Sequence, residues 1–210
     1  DGRMLGLFNP GHKDEARFID WFQAIGFVVS DFAEDGSQHR ISAASGHFGG
    51  SLDSKAMYVG NPAIQNGFTE LLKPLLGYTF LLEYKTHNRK NMDKLKKAGF
   101  QVTNWKHFVQ MSTYGAFEGI QYGIYAAYCK DNDYIHIEVV KLDWSLAGDM
   151  VRKAEETIVA KRLPQRIAEN PTYYECKMCS YAEICHHGAP MEKNCRSCRH
   201  ADAADGAQWY

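Results

Sequence analysis

The sequence predicts an α/β fold, a mixed central sheet flanked by helices, with a small C-terminal metal-bound, cysteine-rich module. Three observations carry this expectation. Segments of helical and strand character follow in the order helix, mixed strands, helices, hairpin, helix. That order suits a sheet covered on both faces, not a purely parallel, strictly alternating one. The run TFLLEYKTH is β-like and apolar through its first half, as a strand buried on both faces requires. Five of the 6 cysteines fall after residue 175, in a stretch too polar to build a core. The 210 residues suit one domain of moderate size with an appendage. The expected division is 1–170 for the core and 171–210 for the module.

Asn9-Pro10 predicts a helix start, with Asn as N-cap and Pro in the first turn. The helix runs to about Ile25 and stops at Gly26. Glu15, Phe18, Ile19, Phe22 and Ile25 follow helical spacing as its buried stripe, with His12 one turn before Glu15. Residues 27–29 read as a short strand, and 33–46 as turns around a strand near 38–42. Residues 47–58 read as a strand broken at Gly49-Gly50. Residues 60–77 read as a loop with an apolar patch at Leu71, Leu72, Leu75 and Leu76, and 79–86 as the central strand. A short basic helix over 92–98 closes at Gly99, and a helix over 105–118 ends at Gly119. Strands 121–129 and 134–142 are joined by the turn Lys130-Asp131-Asn132-Asp133, a hairpin signal. An amphipathic helix spans 145–161, and 173–200 is the cysteine-rich tail. No glycine-rich phosphate loop follows a strand, so no nucleotide cofactor is expected.

Net charge is -1, which argues against a protein coated in positive charge. Its distribution is uneven. Lys85, Arg89, Lys90, Lys94, Lys96 and Lys97 lie close together, with Asp93 the one acid among them. This run is either a solvated helix face or a phosphate-facing patch; its place just after the candidate site favours DNA. No apolar run approaches the ~20 residues needed to span a bilayer, and no signal peptide is visible. Asp1-Gly2 reads as a fragment boundary. A cytoplasmic protein is expected, in the host cytoplasm if phage-encoded.

The chemistry gathers in three segments: Asp53 in GGSLDSKAMY, Glu83 and Lys85 in FLLEYKTHN, and Gln110 and Tyr114 in HFVQMSTYG. In a strand residues i and i+2 share a face, so Glu83 and Lys85 point one way while Leu82, Tyr84 and Thr86 point the other. A carboxylate and an ammonium side by side, near a second carboxylate, can hold a hard divalent cation and orient a water for attack on a phosphodiester. A lone Glu-x-Lys is more often a surface ion pair. Here its apolar flank puts it in a buried strand, where unpaired charge is rarely tolerated. The Gly-Gly-Ser stretch before Asp53 allows close backbone approach to a ligand. His107, Gln110 and Tyr114 share one helix face by i, i+3, i+7 spacing.

The ordered set GHKDEAR (11–17), GGSLD (49–53), LLEYKTHN (81–88), Gln110 and Tyr114 resembles the PD-(D/E)xK nuclease superfamily. It is most similar to the phage and bacterial branch that includes lambda exonuclease, RecB-type nuclease domains and the CRISPR adaptation nucleases. The resemblance implies a restriction-endonuclease-like fold and a deoxyribonuclease, expected as an exonuclease, in phage recombination, replication or DNA processing. It implies Mg²⁺ or Mn²⁺ held by Asp53, Glu83, the Tyr84 backbone oxygen and His12, with Glu15 in support or binding a second cation. Lys85 would position the attacking water, and Gln110 and Tyr114 would contact DNA, the expected partner. Arg89, Lys90 and Lys94 would follow its backbone, and a recombination or replication protein is a further expected partner. The sequence departs from the family pattern at Ser54, where a glycine is expected after Asp53.

The tail reads Cys176-x2-Cys179-x5-Cys185, then Cys195-x2-Cys198. Such spacing without a secretion signal points to metal, not disulfides. The first three cysteines resemble part of the iron–sulfur staple of some CRISPR-associated and helicase-linked nucleases, whose fourth cysteine precedes the nuclease core. This chain has none there. Zn²⁺ is therefore the first expectation and a 4Fe-4S cluster the alternative. The fourth ligand stays open among Cys195, Cys198, His186, His187, His200 and a residue before Asp1, and Cys195 with Cys198 can instead begin a second zinc site. Two rival readings remain: a zinc-containing nucleic-acid-binding protein with an inactive core, and an iron–sulfur redox protein. Intact Asp53, Glu83 and Lys85 argue against the first, and the lack of a flavin or nicotinamide motif against the second.

Overall fold

The computed structural model describes residues 15–162 and 164–190, Cys198, and the backbone of Ala203–Ala204 and Gln208–Trp209. His12, Cys195, His200 and the helix start at Asn9-Pro10 lie outside the described residues. The chain falls into two compact units. One holds the residues up to Ile41 with Gly49–Met150; the other holds Ser42–Phe48 with the residues from Val151 onward.

In the first unit, helix α1 (15–24) leads into strand β1 (Phe27–Ser30). Strands β2 (Arg40–Ala43) and β3 (Phe48–Ser51) form a two-stranded sheet of their own. Strands β4 (Ser54–Tyr58), β5 (Thr79–His87), β6 (Tyr122–Cys129) and β7 (Ile135–Lys141) join β1 in a five-stranded sheet of order β1-β4-β5-β6-β7. Only the β5–β6 pair is parallel, so the sheet is mixed, and β5 is its middle strand. A parallel step needs a long crossover. Helices α3 (Arg89–Ala98), α4 (Phe100–Thr103) and α5 (Trp105–Glu118) supply it.

Residue alternation along β5 assigns the two faces. Phe80, Leu82 and Tyr84 join Phe18 and Phe22 of α1 in one core cluster, and the Tyr84 ring stacks on Phe18 with centroids 5.2 Å apart. Burying an aromatic side chain of this size contributes roughly 1.5–3 kcal/mol, so two such residues anchor a short helix. Leu81, Glu83, Lys85 and His87 face the other way. There Phe100 of α4 stacks on Tyr125 of β6 at 4.0 Å, and Phe108 of α5 packs edge-on against Phe100. Helices thus cover both faces, as the order of segments predicts.

Several boundaries differ from the sequence reading. The predicted loop 60–77 contains helix α2 (Gly67–Leu72) and a 3-10 turn at Lys73–Leu75. Its start is a capping box with Thr in the third position: Asn66 accepts from the Phe68 and Thr69 N–H groups, and Thr69 Oγ1 accepts from Asn66 N–H. The predicted break at Gly49-Gly50 falls instead at Leu52-Asp53, between β3 and β4. Helix α3 begins at Arg89, not residue 92, because the Asn88 side chain caps it by accepting from Asn91 N–H at 2.9 Å. Helix α5 has the predicted span, ending at Gly119 in the left-handed region, φ 67°. Helix α6 (Ser145–Val159) stops two residues short of its expected end.

The second unit contains two short helices, α7 (Tyr174–Lys177) and α8 (Ala182–His187). No helix among the described residues is long and apolar enough to cross a membrane.

Candidate functional site

The β4–β5 register builds the site. Ser54 pairs with Leu82 in an antiparallel ladder, so one step beyond the strand's end Asp53 faces Glu83. The chain leaves the ladder there, and the Asp53 carboxylate takes the place of a backbone acceptor. Its Oδ2 accepts from Tyr84 N–H at 3.1 Å. Lys85, two residues past Glu83, shares its face, with Nζ 2.5 Å from Glu83 Oε1 and 3.7 Å from Asp53 Oδ2. Residues thirty positions apart in sequence meet because the connection between two antiparallel strands returns them to the same row.

The electrostatics are unbalanced. Glu83 is 1% exposed. Burial pushes its carboxyl up to about 7; Lys85 pulls it down, while Asp53 and Glu15 push it further up. Burial would depress the Lys85 ammonium, but Glu83 and Asp53 outweigh it and hold the group above its usual value. Glu15 is near enough to act on Glu83, Tyr84 and Lys85, which places this α1 residue at the same site. Asp53 and Glu83 thus share the Lys85 ammonium, although among the described residues no three His, Cys, Asp or Glu side chains gather here as a metal-ligand group. Two carboxylates and a main-chain oxygen could hold a hard divalent cation, with water and substrate oxygens completing its shell.

Helix α5 closes the site from above. Gln110 Nε2 donates to Tyr114 Oη at 3.1 Å. Burial first, then Glu83 and Asp53, push the Tyr114 hydroxyl's pKa up, against the hydrogen bond from Gln110. A Cβ at Gly50 would lie 2.1 Å from that hydroxyl. The room at Gly50 is therefore taken by Tyr114, not left open for a ligand's approach. Ser54 is fully buried on the opposite face, its Oγ 2.9 Å from Tyr84 Oη. A serine after Asp53 therefore does not intrude on the site.

Arg89, Lys90 and Lys94 are exposed on α3, and Arg89 N–H donates to Asp131 Oδ2 at 2.6 Å, tying the start of α3 to the β6–β7 turn. The sequence sets His87 beside the site, as an exposed loop histidine or a phosphate contact; the structure places it at the end of β5 and adds Tyr125. The parallel register sets Tyr125 beside Glu83, and His87 Nε2 lies 2.9 Å from Tyr125 Oη. His107 was visible as the first member of the helical face shared with Gln110 and Tyr114. Tyr125 carried no such signal, because strand register is a tertiary fact.

In the second unit Cys176 is buried, Cys185 partly buried, Cys179 and Cys198 exposed, and none of the four is in a disulfide. Burial, then Cys185 and Cys179 nearby, push the Cys176 thiol up. His186 Nε2 lies 3.4 Å from Cys176 Sγ. These are soft donors of the kind Zn²⁺ and iron–sulfur clusters take. Among the described residues, however, no three His, Cys, Asp or Glu side chains are gathered as a closed metal-ligand group.

No family model matches the chain, and no curated protein matches it. Among solved structures, the crystal structure of SSO0001 is similar over 83% of this chain and 68% of its own, at 18% identity and a TM-score of 0.42. That likeness is too weak to carry fold or function from one to the other.

Proposed function

We propose that this chain is a divalent-metal-dependent DNA nuclease of the PD-(D/E)xK type, with a restriction-endonuclease-like core. The observation that supports it most is the meeting of Asp53, Glu83 and Lys85 at the end of the β4–β5 ladder. A structural ion pair would not need Glu83 fully buried beside a second carboxylate, Asp53, that shares its one ammonium. That excess of negative charge is costly unless a cation or a catalytic task offsets it.

Asp53, Glu83 and the Tyr84 main-chain oxygen would hold Mg²⁺ or Mn²⁺. When bound, the cation supplies Lewis-acid polarisation of the scissile phosphate. Lys85 donates to the attacking water and faces the charge that grows on the phosphate oxygens. Gln110 and Tyr114 present an amide and a phenol donor to the strand, and Arg89, Lys90 and Lys94 follow its backbone. An exonuclease mode, and a place in phage recombination, replication or DNA processing, follow the sequence resemblance. For the cysteine segment we infer a Zn²⁺ ion, with a 4Fe-4S cluster as the alternative, held through Cys176, Cys179 and Cys185.

The test is digestion of end-labelled linear and closed circular DNA with Mg²⁺ or Mn²⁺. Cleavage of linear DNA is expected. Folded Glu83→Ala and Lys85→Ala proteins should lose ~100-fold or more of the rate. Cleavage at the wild-type rate in either folded variant removes the reading.

A further inference from the structure

The five-stranded sheet ends on two unequal edges. Strand β1 has 4 residues and β7 has 7. Hydrogen bonds at both ends of β7 fix which way its backbone points. Cys129 N–H donates to the Tyr134 carbonyl, and Leu142 N–H donates to the Gln121 carbonyl. Bonded pairs alternate along an antiparallel ladder, so His136, Glu138 and Val140 turn their backbone groups towards β6. Ile135, Ile137 and Val139 turn theirs outward, and none of these three has a backbone partner there among the described residues. Register with β6 runs unbroken from Ile135 to Lys141, so no bulge twists the edge away, and the strand holds no proline. Native sheets commonly shield an edge by shortness, a bulge, proline or charge. Strand β1 is shielded by its length; β7 carries a lysine only at its last residue.

The side chains beside this edge suit a further strand. On the face towards α1, Ile137 and Val139 pack against the core cluster. Ile135 and Ile137 line an apolar groove of about 540 Å³ together with Trp21, Phe22 and Phe68. Ile135 and Trp21 are still 38% and 36% exposed, so the apolar surface there is only partly covered. On the opposite face His136 Nε2 lies 2.6 Å from Glu138 Oε1, and Glu138 also accepts from Phe100 N–H. The strand thus offers outward backbone donors and acceptors, an apolar row on one face, and an imidazole and a carboxylate on the other.

We propose that two copies of this chain associate through β7, edge to edge and antiparallel, so that their sheets become one continuous sheet. The register follows from the chemistry of the strand. A two-fold join must set outward-pointing residues opposite one another. Centred on Glu138, it would put that carboxylate against its own copy, and like charges opposed across a ladder repel. Centred on His136, it would leave each Glu138 facing Tyr134 of the second copy. Centred on Ile137, it sets His136 opposite Glu138 of the second copy and Ile135 opposite Val139 of the second copy. The apolar row then continues across the join beside the groove, and each carboxylate meets an imidazole on the other face. The inference is independent of the nuclease reading.

Sedimentation equilibrium of the whole chain should give twice the chain mass at micromolar concentration. Hydrogen exchange supplies a second readout. The amides of Ile135, Ile137 and Val139 should exchange freely in dilute protein and become protected as concentration rises, while those of His136, Glu138 and Val140 should be protected throughout. Ile135→Pro removes an outward N–H from each copy and none that β6 uses. It should weaken association about tenfold or more, for two hydrogen bonds lost per dimer, with the circular dichroism spectrum kept. On mild oxidation Ile137→Cys should form an intermolecular disulfide absent from the wild type, because that residue meets its own copy, and Val139→Cys should not. A monomer mass up to about 100 µM overturns the proposal. So does protection of Ile135, Ile137 and Val139 at every dilution, which would mean that the chain covers its own edge. A folded Ile135→Pro protein that dimerises with wild-type affinity, or an Ile137→Cys protein that does not cross-link, overturns it as well.

Discussion

The acidic site and the cysteine segment have been set up by opposite means. At the first, sheet register does the positioning: Asp53 is held by Tyr84 N–H at the end of a ladder, and Glu83 and Lys85 sit in the middle strand of the sheet. The geometry exists before any ligand arrives, at the cost of desolvated charge. At the second, Cys176 and Cys185 lie on helices of 4 and 6 residues, too short to persist alone, with Cys179 in the turn between them. Among the described residues, neither here nor at the acidic site do three His, Cys, Asp or Glu side chains gather as a closed ligand group. A site built on strands is made by the fold and then finds its cation; a site built on short turns is made largely by what it binds.

The largest effect that would break this contrast lies in catalysis. Lys85→Ala should lower DNA cleavage ~100-fold or more with the circular dichroism spectrum unchanged, since the removed charge acts on the transition state. Loss of the spectrum with the activity would mean that the acidic site is not independent of its occupant. Stability against pH comes next. The Glu83 carboxyl is raised from 4.5 to about 7 in the folded protein, so folding favours its neutral form. Its contribution is fully present below about 4.5 and is lost as pH rises through 7. Glu83→Gln should therefore match the wild type in denaturant at pH 4.5 and exceed it at pH 8, by about 3 kcal/mol at most. No gap at pH 8 would show that Lys85 already compensates the charge.

Metal removal should divide the two regions. After exhaustive chelation, proteolysis within 174–187 should quicken several-fold, while cutting within the β5–β6 pair should not change. Equal protection of both would place the cysteine segment with the preformed site. A smaller effect is expected at Gly50→Ala, where the new Cβ meets the Tyr114 hydroxyl. Displacing that side chain should cost about 1–3 kcal/mol of stability and raise KM for DNA. The smallest belongs to Lys94→Ala on the exposed face of α3: a few-fold weaker binding, with the log–log salt slope reduced by about 1.

What could be read in advance follows from how local each cause is. Strand β5 was legible because burial on both faces leaves a continuous apolar run, and the charge pair stands out against it. Helix α5 was legible end to end because its periodicity and Gly119 are adjacent in sequence. Helix α2 was not: Leu71, Leu72, Leu75 and Leu76 made the stretch look like an apolar loop, and the capping signal was Asn66-x-x-Thr69, without the usual Glu or Gln. The strand break was placed on two glycines by composition, whereas the chain turns where Asp53 captures a backbone donor. Tyr125 and the His87 contact could not be seen at all, because a parallel register is set by a crossover of three helices.

Tyr84 gives the acidic site a dependence that its own residues do not reveal. Its N–H fixes Asp53, its ring lies on Phe18, and its hydroxyl is paired with Ser54. One residue therefore spans the sheet from hydrophobic core to reactive face. Grafting Asp53, Glu83 and Lys85 onto a foreign scaffold would transfer the letters without the lever that aligns them. A working transplant has to bring Tyr84, Ser54 and an aromatic equivalent of Phe18. In a lineage of related chains, positions 18, 54 and 84 should drift together, as the hidden half of a motif whose visible half is acidic.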